Sequence, residues 1–107
     1  MSTTPKEEIL NLNKMISYQD GSVVSRQITK SEGGGVTLFA FDSGQELSEH
    51  TAPFDALVHI LEGQAEITIS GKSFHLGSGQ AIIMPANDPH AVRATSQFKM
   101  LLTMIRA

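Results

Sequence analysis

The chain has 107 residues, 40% of them hydrophobic and 18% charged, enough for one self-supporting domain with a core of its own. It contains no cysteine, which excludes disulfides, thiolate metal ligands and thiol nucleophiles. Eight Lys and Arg against eleven Asp and Glu, without a basic cluster, exclude a broad grip on a phosphate backbone. No apolar run approaches the roughly 20 residues that span a bilayer, and MSTTPKEEIL lacks the basic start and apolar core of a secretory leader. The expectation is a cytoplasmic protein with neither nucleic acid nor membrane as partner.

Thr4-Pro5-Lys6-Glu7 reads as a helix start, with Thr4 as cap, Pro5 at the first helical position and Glu7 closing a capping box. Ile9, Leu12 and Met15 or Ile16 then recur every three or four residues as a short apolar stripe. The spacing predicts a short N-terminal helix covering one end of a core. Tyr18-Gln19-Asp20-Gly21 ends it, so residues 1–20 are read as helix and lead-in and residues 21–107 as a single barrel domain.

From Ser22 the period becomes two, with Val24, Arg26 and Ile28 alternating against Val23, Ser25 and Gln27. Ser31-Glu32-Gly33-Gly34-Gly35 is read as a flexible loop. A triple glycine cradles phosphate when it joins a strand to a helix, but a strand, Val36–Phe41, follows here, so a plain turn is the better reading. Strands are then expected at Ala56–Leu61, Ala65–Ile69, Phe74–Leu76, Ala81–Met84, His90–Ala94 and Phe98–Ile105. Ser70-Gly71-Lys72 gives a hairpin signal, and Pro85 stops the buried run before it. About nine short strands at eight- to twelve-residue spacing specify an antiparallel sandwich or barrel.

Two histidines stand out in this frame. Gly44, five residues, His50 and Gly63 form one register, and Gly79, Pro85 and His90 form a second. On those residues the chain resembles the cupin superfamily, small jelly-roll barrels, and in particular the short single-domain cupins of the conserved-barrel (cupin 2, RmlC-like) type. The resemblance implies an all-β antiparallel jelly-roll barrel, here with the short N-terminal helix, and a homodimer. In metal-dependent cupins two histidines and a glutamate of the first motif join the histidine of the second around one ion. Here the second histidine position is Ala52 and the glutamate position is Ala56, while Asn87 replaces a motif glycine and Ala94 a motif asparagine.

Only His50 and His90 of that metal set remain, whereas an oxygen-activating ion usually takes about three protein ligands. The site is therefore read as a degenerate metal site. The preferred expectation is a small organic ligand held in the barrel cavity, with His50, His90, Phe54, Asp55 and Met84 around it and no catalytic residue assigned. The alternative is a metal-dependent enzyme of dioxygenase, isomerase or lyase type acting on a small acid. There His50 and His90 would hold a divalent Fe, Mn, Ni or Zn ion, and Asp55 or the substrate would complete the shell. A third reading is metal-free acid–base work by His50 or His90. Alternation turns His59 and His75 to the opposite face, and Met84, Met100 and Met104 read as core filler rather than thioether ligands. The strand at Val23–Ile28 would leave a bare sheet edge, which invites pairing.

Overall fold

A computed structural model describes residues 6–106. The period-two stretches form nine strands: β1 (Val23–Ser31), β2 (Gly34–Phe41), β3 (Glu46–His50), β4 (Phe54–Glu62), β5 (Gln64–Ile69), β6 (Lys72–Gly77), β7 (Ala81–Met84), β8 (His90–Ala94) and β9 (Phe98–Arg106). They make a five-stranded sheet in the order β1-β2-β9-β4-β7 and a four-stranded sheet in the order β3-β8-β5-β6. Every pairing is antiparallel. This is the antiparallel two-sheet arrangement that the strand spacing predicts, and the all-β jelly roll that the resemblance implies.

Alternation decides what lies between the sheets. On β4, Ala56, Val58 and Ile60 are buried while Leu57 is exposed, and on β8 His90, Val92 and Ala94 are buried while Arg93 is exposed. Phe41 and Phe98, directly opposite on β2 and β9, stack with ring centroids 4.5 Å apart and fill one end of the core. The other end is looser, and the two histidines lie there.

The expected N-terminal helix is instead a single 3-10 turn at Leu12–Lys14, and its cap residues Thr4 and Pro5 lie outside the described residues. Glu7 has φ +63°, which no α-helix accepts, Ile9 is 94% exposed, and Asn11 caps with no side-chain bond. So short a helix is marginal on its own, and two asparagines weaken it further. Tertiary packing takes over: Leu12, Met15, Ile16 and Tyr18 lie on the outer face of the five-stranded sheet against Leu38, Ala40 and Leu101.

Polar contacts fix that lead-in. Lys99 of β9 is buried, its Nζ donates to the Asn13 carbonyl at 2.7 Å and lies 5.3 Å from the Tyr18 ring centroid. The Tyr18 hydroxyl donates to Glu62 Oε2 at 2.6 Å, and burial together with that carboxylate holds its pKa far above the ordinary value.

The triple glycine is not a flexible loop. Only Glu32 and Gly33 turn, while Gly34 and Gly35 already belong to β2, so the segment is a two-residue hairpin between β1 and β2. Among the described residues no helix is long and apolar enough to cross a membrane.

Candidate functional site

His50 and His90 reach the space between the sheets by different routes. His90 follows simple alternation on β8 and is 4% exposed. His50 does not follow simple alternation on β3. Leu47 pairs with Val92 and His50 with His90, so three steps along β3 match two along β8. The extra residue is a bulge at Ser48-Glu49 that reverses the parity of β3 and turns His50 to the side that Leu47 already faces.

The turn before β8 is held from the β3–β4 connection and the start of β4. Asn87, where the family motif has glycine, takes φ +68°, a conformation asparagine tolerates, and its N–H donates to the Ala52 carbonyl at 2.8 Å. Asp55 Oδ1 accepts the Ala86 N–H at 2.9 Å. Asp55 is exposed and is absent from the cavity wall. The structure thus gives it the work of fixing the turn that carries His90, rather than that of a ligand.

The two imidazoles meet edge to face, with centroids 4.4 Å apart and Nε2 to Nε2 at 3.1 Å. Each Nδ1 faces a backbone carbonyl, Ser48 O at 2.7 Å for His50 and Asp88 O at 3.1 Å for His90. Carbonyls only accept, so both rings must carry a proton on Nδ1. In neutral rings both Nε2 atoms then present bare lone pairs to each other. One shared proton turns this contact into a hydrogen bond. A second would set two charges side by side, and burial with the His50 ring accordingly depresses the pKa of His90, against a smaller opposing pull from the Asp88 carbonyl. The pair is a two-pronged grip on a single donor.

Around it lies a cavity of about 60 Å³. A water needs roughly 10–15 Å³ on this measure, so a few waters or one small chemical group would fit. Leu47, Phe54, Met84, Val92, Met100, Leu102 and Met104 make its wall apolar. Ala52 and Ala56, the two vacant motif positions, are also in the wall. Of the residues expected around a ligand, His50, His90, Phe54 and Met84 come together here and Asp55 does not. Met104, Leu102 and Leu47 were not anticipated in the wall, although β9 alternation carries the signal for the first two. His59 pairs with Ala81 and Leu101 on the outer face. His75 is exposed, 3.6 Å from Glu66.

Two imidazole nitrogens converge, but among the described residues no group of three or more His, Cys, Asp or Glu could hold an ion. The three methionine sulfurs are soft and do not replace oxygen or nitrogen donors for hard divalent ions. The side chains present do not fit a resident ion of the kind the family motif serves.

The cupin domain family profile matches residues 37–106, more than half of the chain. A conserved protein of unknown function from Streptococcus pyogenes is 36% identical and superposes with a TM-score of 0.91, over 100% of this chain and 96% of that one. A cupin superfamily protein from Desulfitobacterium hafniense is 30% identical, with a TM-score of 0.89 over 97% of this chain and 95% of that one. A cupin 2 conserved barrel domain protein from Leptotrichia buccalis is 38% identical with a TM-score of 0.88, over 91% of this chain and 47% of that one. No curated protein matches the sequence.

Proposed function

The chain belongs to the cupin family, and on that premise we propose that it binds a small organic ligand in the barrel cavity, with His50 and His90 as polar handles. The observation that carries this reading is the cavity itself: an apolar chamber whose wall has one polar feature, the facing Nε2 pair. Apolar walls with a few convergent polar groups are the usual make-up of small-molecule sites. Such a protein would act as a sensor, carrier or accessory protein, in the cytoplasm that a cysteine-free sequence suits. Methyl-labelled methionine NMR tests it directly. Titration with a library of small organic fragments should give saturable shifts at Met84, Met100 and Met104. Silence at all three methyls across the library would overturn the reading.

A second reading, a metal-dependent enzyme of dioxygenase, isomerase or lyase type, is favoured by one observation, the convergence of two bare nitrogens at 3.1 Å. It needs the remaining donors to come from the substrate. Elemental analysis of protein purified without a His-tag separates the two. Stoichiometric Fe, Mn, Ni or Zn, lost in the His50→Ala/His90→Ala variant, would replace the first reading with the second.

We propose further that the protein pairs as a homodimer through the outer face of its five-stranded sheet, where Leu57, Ile83 and Ile105 are exposed.

A further inference from the structure

The inner face of the five-stranded sheet runs on past the chamber. In register across it lie Lys30 on β1, Gly35 on β2, Met104 on β9, Ala56 on β4 and Met84 on β7. Opposite residues of an antiparallel pair point to the same face, so this is one continuous row of inward positions. Large side chains alternate with the two smallest in it. The gap at Ala56 belongs to the histidine chamber, and the gap at Gly35 opens a second, wider space of about 350 Å³. Met104 and Phe54 border both. The wide space, here the vestibule, abuts the narrow one across that border.

Its chemistry differs from that of the chamber. Lys30 and Arg106 both line it. Arg106 is held in place: its guanidinium carbon lies 5.1 Å from the Phe54 ring centroid, and its Nε donates to the Glu32 carbonyl at 3.3 Å. That leaves the terminal nitrogens of the fork, and among the described residues no carboxylate lies within ion-pair distance of Arg106 or Lys30. Arg106 shares a cross-strand pair with Phe54, whose ring is wall to the chamber. A preorganised cation thus stands at the threshold of an apolar cavity.

Resting on the ligand-binding reading above, we infer that the ligand is a small amphipathic carboxylic acid. Its carboxylate sits between Arg106 and Lys30, and its apolar end passes Phe54 and Met104 to the histidine pair. Glu32 also lines the vestibule and opposes a second negative charge, so a monoanion is favoured over a phosphate dianion. The guanidinium fork matches a carboxylate in two-pronged fashion. The chamber, at about 60 Å³, admits the leading end and not the whole molecule.

The test uses straight-chain acids from butyrate to octanoate and 3-phenylpropionate, each beside its primary amide, titrated into the full chain while methionine methyl shifts are followed. The acids are expected to saturate Met104 and Met84 at concentrations at least about tenfold below those of the amides, the equivalent of one good charged contact. Arg106→Gln and Lys30→Gln, both exposed positions, should bring that ratio close to one. Equal affinity for acid and amide, with both moving the methyls, overturns the charge inference and leaves the ligand-binding reading standing. No methyl shift with either series removes both.

Discussion

The contact between His50 and His90 makes acid a direct probe of the site. Burial and the neighbouring ring hold the folded-state pKa of His90 below the ordinary 6.5. As pH falls, the unfolded chain therefore takes up its proton first, and each such proton favours unfolding. Stability from this source is complete above about pH 6.5 and is lost as pH drops through the depressed folded value. The prediction is a falling melting temperature between pH 7.5 and 5 that flattens in His90→Gln, measured by circular dichroism. Asp42 does not confuse the comparison. Its carboxylate, held below the usual 3.8 by the N–H of Gly21, the Gln97 amide and the N–H of Ser43, loses its contribution only in stronger acid. A melting temperature flat across that range, or equally steep in the variant, would show that the rings separate freely. At this scale the sequence was partly legible. Period-two alternation placed His59 and His75 correctly, and applied to Asp55 it would have excluded that residue too, since Asp55 neighbours the inward Phe54 and Ala56. His50 was reachable only through motif register, because a bulge has no signature in residue order when two polar residues compose it.

Among the elements, the glycines that frame β3 and β4 separate two reasons for the same residue. Gly63, between β4 and β5, has φ +81°, and a Cβ there would lie 2.0 Å from the Gln97 carbonyl oxygen and 2.8 Å from Phe98 Cα. Gly44, before β3, has φ +82° with nothing near an added Cβ. Gly63→Ala must therefore displace backbone at the point where β9 enters the core, whereas Gly44→Ala meets only the left-handed penalty. The expected losses in urea unfolding are about 2–4 kcal/mol for Gly63→Ala and about 1–2 kcal/mol for Gly44→Ala. Equal losses would mean that the close approach at Gly63 relaxes. The strands themselves were legible because alternation and turn residues agree along the whole chain, as in Ala65–Ile69 and its return through Ser70-Gly71. The N-terminal helix was misread because its capping pattern is local, while Leu12, Met15 and Ile16 obtain their burial from Leu38, Ala40 and Leu101 far along the chain. Ser31–Gly35 was misread for the opposite reason: three glycines suggest freedom, but β9 pairs with β2 from Gly34 onward and fixes them.

For the molecule as a whole, the homodimer proposed above rests on the outer face of the five-stranded sheet. Part of that face is covered by the lead-in residues Leu12, Met15, Ile16 and Tyr18. The rest exposes Leu57 at 38%, Ile83 at 60% and Ile105 at 60%, with Leu57 and Ile83 directly paired across β4 and β7. The free edge of β1 is a poorer contact than its sequence suggested. Its register shifts between Gln27 and Thr29, and it carries Arg26 and Lys30, devices that resist extension of a sheet by another strand. A two-fold pairing of the apolar faces would cover all three side chains in both copies at once, because such an interface is self-complementary. It would also leave the ligand site independent, since Leu57 and Ala56 are neighbours on opposite faces of one strand. Light scattering coupled to size exclusion at tens of micromolar should thus give a dimer for the native chain and a monomer for Leu57→Glu/Ile83→Glu. The monomeric variant should retain the acid-dependent shifts of its chamber methionines. A native chain that elutes as a monomer overturns the pairing, and a monomeric variant that loses ligand shifts while staying folded shows that the two faces of the sheet are coupled.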